Sequence, residues 1–202
     1  MSEPAPESRP PVWQRWNVGR RAGEVALIAV GVFLGLAGEQ WRDRAERRER
    51  AEESLRRIRA EMALNEAAVA KVMEYHATTH QRLQQFLAMP AAERDKNGFR
   101  LEGVMPAQFE QTAWQLTQSM QALADIDADL AFALARIYGV QANYIGLTEG
   151  ITSAMYLRPP TDNAVAFLQS LSIYYADIVL LEKALEGLYQ DIKPRLDRAI
   201  GE

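Results

Sequence analysis

The chain has no cysteine and only two histidines in 202 residues. The first absence excludes a disulfide framework, a thiolate zinc site and a cysteine nucleophile, and leaves the redox compartment open. The second leaves no plausible Ser-His-Asp set, and neither a GxSxG elbow nor a glycine-rich phosphate loop occurs. No stretch alternates apolar and polar residues, so strands are not expected. Nor is there a positive excess to attract nucleic acid, since 23 basic and 27 acidic residues leave the chain at −4. That charge is unevenly spread. Residues 1–60 hold 12 Arg/Lys against 9 Asp/Glu (+3), and residues 61–202 hold 11 against 18 (−7). The basic end suits a membrane surface better than DNA or RNA. With 48% hydrophobic and 25% charged residues, the chain as a whole should fold.

What the basic end does carry is one apolar run, EVALIAVGVFLGLAGEQW at residues 24–41. From Val25 to Gly38 there are 14 residues without a charge. They cover roughly 21 Å as helix, short of the ~30 Å hydrocarbon core. The flanks argue for a span all the same. Trp13 and Trp16 precede the run and Trp41 follows it, and Trp16 to Trp41 is roughly 37 Å of helix, near the spacing of two interfacial aromatic belts. Arg20, Arg21, Arg42 and Arg44 are placed to reach headgroups. The run is apolar on every side, which does not suit the surface of a soluble domain. Two other readings stand beside the span: a signal sequence cleaved near Leu36-Ala37-Gly38, and a buried or interfacial helix. Gly31 and Gly35 form a GxxxG with Gly38 close to the same face, a spacing that lets two copies pair in lipid as a homodimer.

The remainder reads as helix. Residues 1–15, rich in proline, serine and glutamate at their start, are expected to be a disordered tail, residues 16–41 the transmembrane anchor, and residues 42–202 a helical domain. Beyond the run, Asp43–Arg47, Glu46–Arg50, Glu52–Arg56 and Glu53–Arg57 stand at i,i+4 in the favourable order. A 3-4 seam then follows on Leu55, Ile58, Met62, Asn65, Val69, Val72, His76, Thr79, Leu83 and Phe86, predicting one helix from the membrane to about Ala88. The stretch PAAERDKNGFRLEGVMP reads as a loop. A second helix is expected over 106–123, burying Phe109, Ala113, Leu116, Met120 and Leu123. A third starts near Asp127 on Leu130, Leu134, Ile137, Gln141, Tyr144, Thr148, Ile151 and Met155, with Gly139, Gly146 and Gly150 implying close packing or a bend. The last runs from about 162, capped by Thr161 or Asp162, to 200. Its seam is Phe167, Leu171, Tyr174, Ile178, Leu181, Leu185, Leu188, Ile192 and Leu196, and Pro194 should kink it or end its regular part. The expected fold is all-α: an N-terminal transmembrane helix continuing into an antiparallel bundle of three or four helices.

Two stretches look familiar: EVALIAVGVFLGL followed by Trp41 and a charged helix, and TAWQ at Thr112–Gln115 followed by SMQAL and then DADL and LARIY through Tyr138. They resemble a family of bacterial membrane-anchored proteins for which no activity is established. The resemblance covers about a third of the chain, and where the family often has a small residue after the serine this chain has Met120. It implies a single-span anchor and a helical domain, and no activity; the expected location is the bacterial inner (plasma) membrane.

Candidate chemistry is sparse. His76 and His80 stand at i,i+4, a spacing able to present two metal ligands, yet HATTH lacks the glutamate of HExxH and His76 lies on the seam. Asp125, Asp127 and Asp129 are clustered, but at a helix start where capping accounts for them. Eight arginines in 42–59 are interleaved with five acids, which suits headgroups and a solvated face rather than nucleic acid. Trp114, Tyr138, Tyr144, Tyr174 and Tyr175 line either a ligand pocket between helices or simply the core. The expectation is therefore a non-enzymatic, membrane-anchored bundle without cofactor or metal. Its partners would be the bilayer, a second copy and an unidentified protein that it binds or scaffolds. The alternative is a sensor-like bundle that binds a small ligand between its helices. The side of the membrane stays open. Four arginines precede the run and eight follow it, which favours a cytoplasmic domain, whereas Arg15, Arg20 and Arg21 before a first apolar segment favour the opposite.

Overall fold

A seam with 3-4 spacing buries one stripe of a helix, and ten such positions in succession leave little choice of structure between Leu55 and Phe86. The computed structural model describes residues 12–157 and 164–201, with the side chains of 12–22 and 95–97 outside the described set. It is all-α: α1 (Val12–Ala88), α2 (Ala91–Asn97), α3 (Thr112–Ser119), α4 (Ala128–Leu157) and α5 (Ala164–Ile200), with a 3-10 turn at Ala122–Asp125. No strand occurs among the described residues. Of the tail expected at 1–15, residues 1–11 lie outside the described residues and 12–15 begin α1. The chain divides into two compact units, Met1–Arg48 and Glu49–Glu202, so residues 42–48 go with the first.

In the first unit the described side chains, from Gly23 onward, are exposed on all sides of α1. The second unit has a single core. All ten seam positions of α1 are buried, from Leu55 to Phe86. From α4 come Leu130, Leu134, Ile137, Gln141 and Tyr144, and from α5 Leu171, Tyr174, Ile178, Leu185, Ile192 and Leu196. Each fully buried aliphatic side chain contributes roughly 1.5–3 kcal/mol, against about 0.3–0.5 kcal/mol for an exposed i,i+4 ion pair. The surface pairs Glu52–Arg56 at 3.7 Å and Glu53–Arg57 at 2.9 Å are therefore minor beside the seam. Contacts between elements run in opposed register. Glu66 meets Lys193, His76 meets Glu182 and His80 meets Ser172, so residue numbers rise along α1 as they fall along α5. The same holds between α4 and α5, where Gln141 meets Tyr189 and Thr148 meets Tyr174.

Helix ends follow local chemistry. α1 stops before Pro90, and α4 starts after Asp127, whose Oδ1 accepts the Leu130 amide at 3.0 Å. The expected caps Thr161 and Asp162 lie outside the described residues. Three expectations need correction and a fourth is narrowed. The second helix is not 106–123: residues 101–111 are irregular, α3 covers only Thr112–Ser119, and Leu116 and Met120 are exposed while Trp114 and Thr117 are buried. The stretch read as loop contains α2, after which Gly98 and Gly103 take φ of 57° and 128°, values that disfavour a side chain. Finally, Gly139, Gly146 and Gly150 are exposed and a Cβ on any of them would meet nothing within 4 Å, so no close packing explains them. α5 does not end at Pro194, which is exposed, but continues to Ile200.

Candidate functional site

Three features go beyond ordinary core and surface. The first is the apolar run on α1. Val25, Leu27, Ile28, Val30, Val32, Phe33, Leu34 and Leu36 are all between 54% and 78% exposed. Folding of this chain alone leaves them uncovered, although a contiguous apolar surface of this kind is a strong drive to association or insertion. Gly31, Gly35 and Gly38 are exposed too, and a Cβ on any of them would meet nothing within 4 Å. At the end of the run Trp41 is 77% exposed, Arg44 is exposed, and Arg42 pairs with Glu46 at 3.1 Å. The side chains of Trp13, Trp16, Arg20 and Arg21 lie outside the described residues. Among the described residues two helical stretches are long and apolar enough to cross a membrane, Gly23–Ala88 and Ala164–Ile200. They differ in their most apolar windows: none of the first window is buried, whereas part of the second is, and that helix sends Leu171, Tyr174, Tyr175 and Ile178 into the core.

The second feature is a set of buried polar side chains, mostly on α1, that holds the irregular stretch before α3. Asn65 bonds both backbone groups of Glu110, donating to its carbonyl and accepting from its amide, each at 2.8 Å. Glu61 accepts from the Ala113 amide at 2.7 Å and the Trp114 amide at 3.4 Å, taking the place of an N-cap side chain for α3, and also from the Tyr138 hydroxyl at 2.5 Å. The hydroxyls of Tyr75 and Tyr175 both donate to the Gly103 carbonyl, at 2.6 Å and 2.9 Å. Tyr144 accepts from the Ala107 amide and donates to Glu182. His76 is wholly buried, with Nε2 2.9 Å from the Val104 carbonyl and Nδ1 2.6 Å from the Glu182 carboxylate. A carbonyl only accepts, so Nε2 is the donor in its contact with Val104.

These contacts answer the candidate chemistry. Both ring nitrogens of His76 are committed, and His80 Nδ1 is 3.1 Å from the Ser172 carbonyl. Among the described residues no three His, Asp or Glu side chains are grouped as metal ligands. Asp127 is a helix cap. The five aromatics are core. Trp114 stacks on Tyr138 with ring centroids 4.6 Å apart, and Tyr174 meets Tyr175 edge-on at 5.1 Å. Burial first, and then the hydrogen bond and charge of Glu61, push the Tyr138 phenol well above its usual range. Burial likewise raises Tyr144, Tyr174 and Tyr175, and raises Tyr189 to about 12 against the opposing hydrogen bond from Gln141.

The third feature is a cavity of about 610 Å³ where the end of α1, α2, the stretch 98–103, the end of α4 and the start of α5 meet. Its wall is mostly apolar, including Phe86, Phe99, Met155, Phe167 and Leu171, with Arg94 and Glu102 as charged members. None of the five aromatics considered from sequence lines it. The signal that could have found it is a pair of phenylalanines in unlikely places, Phe99 in a loop after Asn97-Gly98 and Phe167 in the first turn of a helix.

Comparison of the chain with protein-family models, with curated proteins and with solved structures finds no match.

Proposed function

We propose that this chain is a single-pass membrane protein in which residues 16–41 are the anchor and residues 42–202 form an antiparallel helical bundle that acts through protein interaction or scaffolding. The observation that carries the reading is the uncovered apolar surface from Val25 to Leu36. Hydrocarbon is the solvent that such a helix suits on every side, since all its backbone groups are bonded within it. The opposed registers of α1 with α5 and of α4 with α5 support the bundle. Trp41, Arg42 and Arg44 sit at one membrane interface and Trp13, Trp16, Arg20 and Arg21 at the other, and the Gly31, Gly35 and Gly38 face pairs two copies. The membrane in this reading is the bacterial inner (plasma) membrane. No enzymatic role, cofactor or nucleic acid enters it.

The test is membrane fractionation with an alkaline carbonate wash, on the full chain and on a version starting at Gln40. The full chain should resist the wash and the shortened one should be soluble and helical. If the full chain is released by the wash, the run is an interfacial or core helix and the anchor is wrong.

A second reading has one observation in its favour. The cavity beside Phe86 and Phe167 is within the 300–1,000 Å³ range of small-molecule sites, which supports a bundle that binds a ligand between its helices.

A further inference from the structure

The chemistry of that cavity narrows what it would hold. Its inner wall is Phe86 and Leu171, both buried, with half-buried Phe99, Leu101, Met155 and Phe167 around them. Such a wall takes an apolar body and offers it few polar partners. The exception is Arg94. Its Nε is shielded from solvent and has no hydrogen-bond partner among the described residues. A guanidinium N–H out of water without an acceptor is unfavourable, and it is relieved by an oxygen anion brought into the cavity. Glu102 is the other charged lining residue, but it is exposed, so water screens its repulsion. Phe86 and Phe99 contact each other, with rings 5.4 Å apart, and the Arg82 guanidinium lies over the Phe99 ring at 5.6 Å. Phe99 thus packs as part of the cavity wall.

We infer that this cavity binds an amphiphile consisting of one apolar chain and a single anionic head, with the head on Arg94 and the chain against Phe86, Phe99, Met155, Phe167 and Leu171. The inference rests on the ligand-binding reading above and names its site and ligand class. Two sources share that chemistry: a free carboxylic acid of the fatty-acid type, and an acyl chain of an anionic phospholipid.

The experiment uses the full chain in lipid nanodiscs. Two diazirine probes are compared, a long-chain fatty acid and a phosphatidylglycerol carrying the diazirine in its acyl chain, and cross-linked peptides are mapped by mass spectrometry. Saturable labelling of peptides containing Phe86, Phe99, Met155 or Phe167 by either probe supports the site, and the stronger probe identifies the source. Arg94→Gln should weaken that labelling about tenfold or more, as expected for a lost charge-assisted bond. Glu102→Gln should leave it equal or tighter, and Ala164→Trp, which puts an indole at an exposed lining position, should block it. The fatty alcohol of matched length should compete at least tenfold less well than the acid against the unmodified chain, and equally well with the acid against Arg94→Gln. That comparison is made within one variant, so it holds whether or not another variant folds. Acid and alcohol competing equally against the unmodified chain overturns the role of Arg94 and with it the proposal. Saturable labelling mapped elsewhere in residues 49–201 overturns this site while leaving the ligand-binding reading standing. Labelling confined to residues 24–41 overturns both.

Discussion

Glu61 gives one carboxylate to three donors, the amides of Ala113 and Trp114 and the hydroxyl of Tyr138, at a position only 6% exposed. No lysine or arginine neutralises it in these contacts; its charge is met by the amides at the start of a helix, where a negative group is favourable. Removing it strands two amides and a buried phenol at once. Glu61→Ala is expected to lower the unfolding free energy by about 2–4 kcal/mol, and Glu61→Gln by about half of that. Urea unfolding of the full chain in detergent measures it, with Tyr138→Phe as a second variant. Because the two side chains touch, their losses should add up to more than the loss in the double variant. A change below about 0.5 kcal/mol for Glu61→Ala would show that the carboxylate only fills space.

The elements divide cleanly by how local their causes are. The seams of α1, α4 and α5 were legible because each needs nothing but its own period, and every seam position of α1 between Leu55 and Phe86 is buried. The end of α1 at Ala88 and the start of α4 after Asp127 were legible for the same reason, being set by Pro90 and by an aspartate cap. The expected second helix failed because residues 103–110 satisfy their backbone groups with partners far along the chain. His76 bonds the Val104 carbonyl, Asn65 bonds Glu110, Tyr144 bonds the Ala107 amide, and Tyr75 and Tyr175 bond the Gly103 carbonyl. Local spacing carries no trace of such donors. Of the candidate site, the apolar run was legible as a run of composition, whereas the cavity depends on four helices and the stretch 98–103 meeting and was not. The glycines of α4 yield a prediction at this scale. Gly139, Gly146 and Gly150 are exposed, helical and uncrowded, so alanine at each should raise stability by roughly 0.5–1 kcal/mol through helix propensity alone. Melting curves of the three single variants check it. A loss at any of them would mean that another molecule needs the bare backbone there.

For the molecule as a whole, the buried phenols set an alkaline limit. Tyr138, Tyr144, Tyr174, Tyr175 and Tyr189 all have values raised above the ordinary 10, Tyr189 to about 12. Between about pH 10 and those higher values the unfolded chain has lost protons that the folded chain retains. Stability therefore falls with rising pH across that window, by about 1.4 kcal/mol per pH unit for each such tyrosine, and this contribution is fully present below about pH 9. The phenolate absorbance of these five should rise together with the loss of far-UV helical signal. Their ionisation near pH 10 with the helices intact would contradict it. The buried contact between His76 and Glu182 has a different consequence, which concerns alignment. A purely apolar seam with a seven-residue repeat can slide along its neighbour by one repeat and still bury the same kind of side chain. Here such a slide would set Val69 or Leu83 where His76 now stands, leaving the Glu182 carboxylate buried opposite a hydrocarbon at a cost of about 3–5 kcal/mol. Asn65 would likewise leave Glu110 unmet. α1 and α5 thus have one alignment in which donors and acceptors coincide, and every neighbouring alignment is selected against by the same few polar residues that a hydrophobicity count would mark as defects.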